Sequence, residues 1–559
     1  MANRDFSSTV EISPTYYLDN FLALINSVHC RYHGILTDEE QGFRDAFLQL
    51  PTNAQCLFVR LVSRKGPLFR VDRLSYTEID DVEGAIDRLV AAGLVHLNPS
   101  VPVSIALNIL TLDELRRRFP GLPKSLRKAQ LIAAAQEYFL DTASEEEEPL
   151  LPAAEVIGRE IPLLLISKPE LMDVFQLLYF GNTYQDLSEF VLSELGVFNY
   201  EDYALEGSAT AFRSRQELDA LHAAVRFRQA VRQAVEQDPP SLERLDIMPR
   251  PGEAYPAAQR VWSKALNELA RHREREGQHE AALSLYRAAQ YLPSRERIAR
   301  ILYKEQAYEE ALLQCEAILQ APWGEQEETC AIRIRDRSLR KLKRPVPAPA
   351  KAILREEKLL LDAPGPASVE LLGLELLTKT QQGEGHYVEN WLFNGIFGLY
   401  FWEVIFAPVP DAFYHPFQRG PKDLYAPEFI TKRRDLLENK LTQLAREQSW
   451  HQVVLRIWRE KFGRLNPFVH WGALSEPLLE LALQRIPSAH FELVFRRMLK
   501  DLRHHCTGFP DLILFGPEGG YELVEIKGPG DRLQDHQRRW LEFFAVHQIP
   551  ARVVYLERS

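Results

Sequence analysis

The stretch Gly508-Phe509-Pro510-Asp511 followed by LILFGPEGGYELVEIK constrains the fold more than any other part of the chain. Leu512 to Phe515 is a short apolar run, Pro517-Glu518-Gly519-Gly520 is turn chemistry, and Tyr521 to Lys527 is again rich in β-formers. The spacing therefore predicts a hairpin. Glu525 and Lys527 stand two residues apart on its second strand and share a face. Counting back from a turn centred on Glu518 and Gly519 sets Asp511 opposite about Glu525 or Ile526, so two carboxylates and an amine converge, with the Ile526 carbonyl in reach. That set offers hard oxygen ligands to Mg²⁺ or Mn²⁺, which lowers the pKa of bound water and offsets phosphoryl charge. Lys527 is placed to orient an attacking water or to stabilise a pentacovalent phosphate. A Glu-x-Lys pair alone is common, and it equally describes a solvated cross-face pair.

Composition bounds the rest. With 559 residues, 46% hydrophobic and 26% charged, the chain is expected to hold several domains of a soluble globular protein. A net charge of −11 argues against polyanion binding by the whole surface, so a nucleic-acid site must be a local basic patch. The five cysteines (Cys30, Cys56, Cys315, Cys330, Cys506) are odd in number and far apart, which favours a reducing compartment over a disulfide framework. MANRDFSSTVEISPTYYL carries neither a signal-peptide core nor a transit-peptide bias, and no run approaches the roughly 18 apolar residues of a spanning helix. A cytoplasmic location is expected, nucleoid-associated if the chain is bacterial.

Four spans are predicted. Residues 1–100 read as short helices closed by an apolar β-rich end, a winged-helix-like shape. Arg60, Arg64, Lys65, Arg70 and Arg73 gather there between apolar segments, either as a phosphate-contacting surface or as a solvated face. His29, Cys30 and His33 lack the further ligands of a zinc site. Residues 101–238 hold LTLDELRRRFPGLPKSLRKAQLIAAAQEYFL, whose short helix, turn at Pro120-Gly121-Leu122-Pro123 and second helix resemble a SAP DNA-binding motif. Lys124, Arg127 and Lys128 at that helix start would meet DNA backbone. Residues 239–355 contain EGQHEAALSLYRAA and EQAYEEALLQCEAI, tetratricopeptide-like in packing logic, and a basic connector. Residues 356–559 form the last domain. There Gly383-Glu384-Gly385 reads as a loop before a very apolar helix. Glu384 and Glu389 stand at the entrance to that helix, and the pattern alone does not separate them.

A carboxylate directly after proline, an apolar strand, a Gly-rich turn and Glu-x-Lys together resemble the PD-(D/E)XK nucleases. The continuation Lys527-Gly528-Pro529-Gly530-Asp531-Arg532-Leu533 narrows the likeness to the virus-type replication-repair nuclease domain. With YYLDNFL, FVRLVSRKG, the SAP-like turn, YEEAL, QQGEG, FWEVIF and FITKRR, nearly the whole chain resembles the Fanconi-associated nuclease family, and its compact length resembles a bacterial member. The resemblance implies a multidomain protein, mostly α-helical over its N-terminal two-thirds, ending in an α/β restriction-endonuclease-like domain with a mixed sheet. It implies a 5′-flap endonuclease with 5′→3′ exonuclease character, using one or two Mg²⁺ or Mn²⁺ ions on branched DNA in interstrand crosslink repair. The resemblance implies metal-ligand roles for Asp511, Glu525 and an additional carboxylate, Glu384 as first choice and Glu389 as second, a catalytic amine at Lys527 and site support from Asp531. Arg503 fits one contributor to the family's basic 5′-phosphate pocket, while His536 stands where a lysine is expected, and Arg532 is a candidate strand contact. The cysteine set of a ubiquitin-binding zinc finger is absent. The rival readings are a non-catalytic branched-DNA scaffold, a four-way-junction resolvase and a restriction-like nuclease.

Overall fold

The computed structural model describes residues 13–558 apart from 65, 67, 124, 140–149, 206–209, 237–244, 348–352, 362–367, 382 and 447–448. Lys65, Lys124 and the acidic stretch 142–149 thus lie outside the described residues. The chain divides into two compact units, Met1–Val197 with Thr210–Arg215, and Phe198–Ala209 with Gln216–Ser559.

In the first unit, helices Tyr16–Tyr32, Asp38–Leu48 and Thr52–Val62 bury the apolar positions that recur at three- and four-residue spacing. Phe21, Phe43, Phe47 and Phe58 meet there as a cluster of edge-on, tilted and stacked rings. Thr37 and Glu40 start the second helix with a reciprocal capping box. The β-rich end is a three-stranded antiparallel sheet, but its central strand, Leu163–Ile166, pairs with both Leu68–Arg70 and Val95–Leu97. A winged-helix-like segment finished by a strand from beyond the SAP-like helices is not separable at residue 100. The SAP-like helices Leu112–Arg118 and Lys128–Gln136 pack Leu115, Phe119, Leu131 and Ala135 into that same unit.

The second unit stacks helices Pro256–Arg275, His279–Ala289, Ser294–Lys304, Tyr308–Gln320 and Glu325–Lys341. Ala282, Ala299 and Ala311 are fully buried where these helices close, with Tyr286 and Cys315 beside them, so the repeat pattern does what its small residues imply. A five-stranded mixed sheet follows, in the order Glu356–Leu361, Ala551–Arg558, Tyr521–Lys527, Leu512–Phe515, Glu384–Tyr387. The first three strands are parallel and the last two antiparallel to their neighbours. Leu512 and Leu514 face one layer with Leu377, Val524 and Ile526. Ile513 and Phe515 face the other with Phe393, Phe491, Trp540 and Phe544. Burial on both faces explains why LILF shows no polar alternation. Gly383-Glu384-Gly385 is not a loop: Glu384 opens an edge strand whose residues pair from Glu384 with Phe515 to Tyr387 with Leu512. Among the described residues no helix is long and apolar enough to cross a membrane.

Two of the predicted phosphate-contacting arginines are spent inside the first unit. Arg70 is only 8% exposed, and it bridges Asp72 at 2.6 Å and Glu114 at 2.8 Å. Arg60 pairs with Glu78 at 2.5 Å and lies over the Tyr17 ring. A buried guanidinium must be matched this way, and for Arg70 one partner, Glu114, stands 44 residues along the chain. Arg70→Ala leaves Glu114 without its buried counter-charge and is expected to lower unfolding free energy by about 2–3 kcal/mol in urea titrations. Arg64→Ala, at a residue beside the Tyr76 ring, is expected to change it by less than about 0.5 kcal/mol.

Candidate active site

The hairpin pairs Leu512 with Val524, which places Asp511 across from Glu525. Asp511 then ties three segments together. Its Oδ2 accepts the Ile526 N–H at 2.8 Å, and its carbonyl accepts the Val388 and Glu389 N–H groups at 2.8 and 2.9 Å. Asp511 and Lys527 are each 8% exposed and Glu525 is 0% exposed. The Lys527 ammonium pairs with Glu525 Oε1 at 2.7 Å, and beyond that contact neither Glu525 oxygen has a hydrogen-bond partner.

Two carboxylates buried this closely resist ionisation. Burial, partly offset by the Ile526 N–H and then by Lys527, pushes Asp511 up to about 6. Glu525 is pushed up to about 8, by burial first and by the Asp511 charge second, with Lys527 pulling the other way. A carboxylate at zero exposure with Lys527 on one oxygen and nothing on the other, beside a second carboxylate, is a donor set that a divalent cation would satisfy. An all-oxygen set suits a hard ion such as Mg²⁺ or Mn²⁺. Among the described residues no three His, Cys, Asp or Glu side chains already close on one cation position.

The additional carboxylate brought near this pair is Glu389. Its charge adds to the upward push on both Asp511 and Glu525. It sits at φ +29°, in the left-handed region, where the two N–H bonds to the Asp511 carbonyl hold the backbone. Tyr387 Oη donates to Glu389 Oε2 at 2.5 Å, and Asn390 Nδ2 to Oε1 at 3.2 Å. Asn390 Oδ1 in turn accepts the Gly508 and Phe509 N–H groups, fixing the approach to Asp511. Glu384 lies elsewhere: its side chain is 63% exposed, it faces His386, and its cross-strand partner Phe515 stands four positions from Asp511, roughly 13 Å along a strand. Glu370, in the first turn of helix Val369–Gln381, also acts on Asp511, a contribution that sequence reading missed. Asp531 is exposed and accepts the Gly528 N–H at 3.0 Å, shaping the turn that follows Lys527.

The candidate DNA contacts scatter. Arg73 is 3.9 Å from Glu114, Lys128 donates to the Asn108 carbonyl at 2.9 Å, and Arg127 and Arg532 are exposed. Arg503 lies over the Tyr425 ring, and it belongs to a cluster that the sequence did not reveal. Lys264 is held below the usual lysine range by burial first and then by Arg228, Arg503 and Arg260. Arg228, however, is also paired with Glu268. His536 stays below its ordinary value through burial and the nearby Arg539 and Lys527 charges.

Comparison with known proteins follows this geometry. Residues 446–557 match the VRR-NUC domain model, and residues 15–96 match the model described as FAN1, HTH domain. A Fanconi-associated nuclease 1 homolog of Pseudomonas aeruginosa is 37% identical over 97% of this chain and 96% of its own length. A rice homolog is 27% identical over 95% of this chain and 61% of its own. The crystal structure of paFAN1 bound to 2nt 5'flap DNA with gap superposes with a TM-score of 0.90 at 37% identity, covering 98% of this chain and 99% of that one.

The raised carboxylates fix a pH dependence. For a carboxyl whose folded value lies above its unfolded one, ionisation costs stability above the folded value, and the cost fades as pH falls below it. A cation must also displace those protons. Mn²⁺ is therefore expected to raise the melting temperature of chelator-treated protein markedly above about pH 8 and hardly at all below about pH 6. Glu525→Gln is expected to remove most of the shift at the higher pH.

Proposed function

This chain belongs to the Fanconi-associated nuclease family, and from that premise and the site just described we propose that it cuts 5′ flaps and related branched DNA by divalent-cation-dependent phosphodiester hydrolysis. The reading extends to 5′→3′ exonuclease action and to the repair of interstrand crosslinks. The observation that carries it is the burial of Asp511 and Glu525 beside the Lys527 ammonium, with Glu525 Oε2 left without a partner.

Asp511, Glu525 and the Ile526 carbonyl would hold the cation, with Glu389 as the additional carboxylate in place of Glu384. When bound, Mg²⁺ or Mn²⁺ supplies positive charge and Lewis acidity beside the scissile phosphate. Lys527 does the chain's own electrostatic work: its ammonium donates to a phosphoryl oxygen or aligns the water whose oxygen bonds to phosphorus as the phosphorus–oxygen bond to the leaving strand breaks. Asp511 keeps the geometry through the Ile526 N–H, and Asn390 steadies both Glu389 and the loop into Asp511. The like-charged group of Lys264, Arg260 and Arg503 takes a phosphate of the DNA, since an ammonium held below its usual value by burial and then by neighbouring arginines gains from an anion.

Labelled 5′-flap, 3′-flap, duplex and four-way-junction DNA compared with Mg²⁺, Mn²⁺ and chelator tests the substrate. Preferential cutting of the 5′ flap supports the proposal, junction resolution in symmetric pairs replaces it, and binding without cutting in every metal overturns it. Asp511→Ala and Lys527→Ala are expected to slow incision by about a thousandfold with DNA affinity retained. Glu389→Gln is expected to lose at least about a hundredfold, while Glu384→Gln stays within about twofold of the unaltered chain.

A further inference from the structure

We propose that His470 and Trp391 form a stacking platform for an unpaired nucleobase next to the phosphate being cut, an inference that rests on the nuclease reading above and adds the contact that selects which phosphate is presented. The two rings lie face to face, with centroids 5.0 Å apart and planes 13° from parallel. His470 is exposed and Trp391 half-buried, so solvent reaches the stack from its His470 end. Trp391 opens helix Trp391–Tyr400 two residues after Glu389, and its N–H is bonded to the Val388 carbonyl at 2.7 Å. Its ring also meets the edge of Tyr387 at 5.9 Å and 88°, and the Tyr387 hydroxyl holds Glu389.

A continuous run of rings thus links an exposed aromatic face to a carboxylate acting on Asp511 and Glu525. No long flexible side chain interrupts it, so a base seated on His470 is indexed to the cutting position. Stacking recognises any base, because every base has a π-face, and it needs that base to be unpaired. A displaced flap or a gap provides one where an intact duplex does not.

The test uses the full-length protein and a series of 5′-flap DNAs, each with one abasic site stepped through the nucleotides flanking the cut. With the unaltered chain, one position is expected to raise KM about tenfold and leave kcat nearly unchanged. His470→Ala is expected to raise KM on intact DNA by a similar factor, with no further rise at that abasic position. His470→Phe restores both behaviours. The same series read by fluorescence anisotropy judges the platform even if no strand is cut, so failure of the nuclease reading stays distinct from failure of this one. Loss of no more than about twofold in His470→Ala overturns the platform. So does a loss that is uniform across the abasic series and not restored by His470→Phe, which marks a charge or folding contact instead.

Discussion

Glu525 is the residue on which the geometry of the second unit turns. A carboxylate with zero exposure whose one partner is the Lys527 ammonium would not stay in place if its strand could slip or tilt. It is held because the strand carrying it is central, paired in parallel with Ala551–Arg558 and antiparallel with Leu512–Phe515. Apolar layers cover both faces. On one of them, a Cβ at Gly373 would come within 2.9 Å of Ile526, so the helix Val369–Gln381 approaches as closely as a glycine allows. The same approach brings Glu370 into the field of Asp511.

The parts of this arrangement that sequence disclosed are those decided locally. Turn residues at 517–520 and the apolar runs beside them specify the hairpin, and period-two geometry puts Glu525 and Lys527 on one face. The choice between Glu384 and Glu389 depends instead on an edge-strand pairing with a segment more than a hundred residues away, and on a non-glycine residue at positive φ. Nothing in QQGEGHYVEN signals either. Charge patches fail for a related reason: Arg70 and Arg60 look available because Glu114 and Glu78 are distant in the chain. Conversely, Lys264 and Arg503 stand together although no short window contains both.

Long-range pairing also changes how the helical repeats are read. Their last helix, Glu325–Lys341, begins with a carboxylate that receives Arg497 at 2.7 Å, His505 at 3.2 Å and Arg539 at 3.4 Å. Further along, Arg333 pairs with Asp535 at 2.7 Å. His505 opens the short segment that ends at Asp511, and Asp535 and Arg539 lie on the helix that follows Lys527. The repeat is therefore keyed to both flanks of the hairpin. Arg497 also spreads over the Trp540 and Phe543 rings, so the ion pairs are seated on an aromatic floor.

A chain of net charge −11 that handles a polyanion must separate attraction from chemistry. Once Asp511 and Glu525 are ionised, above about pH 6 and pH 8, they act with Glu389 and Glu370 to repel an approaching phosphate, and Lys527 alone does not reverse their sum. The cluster at Lys264 shows the opposite imbalance. On the nuclease reading proposed above, a strand drawn to the basic group would reach the acidic one once a divalent cation had neutralised it. The carboxylate pair would then act as an electrostatic gate: with the cation the phosphate is admitted and polarised, and without it the strand is kept away.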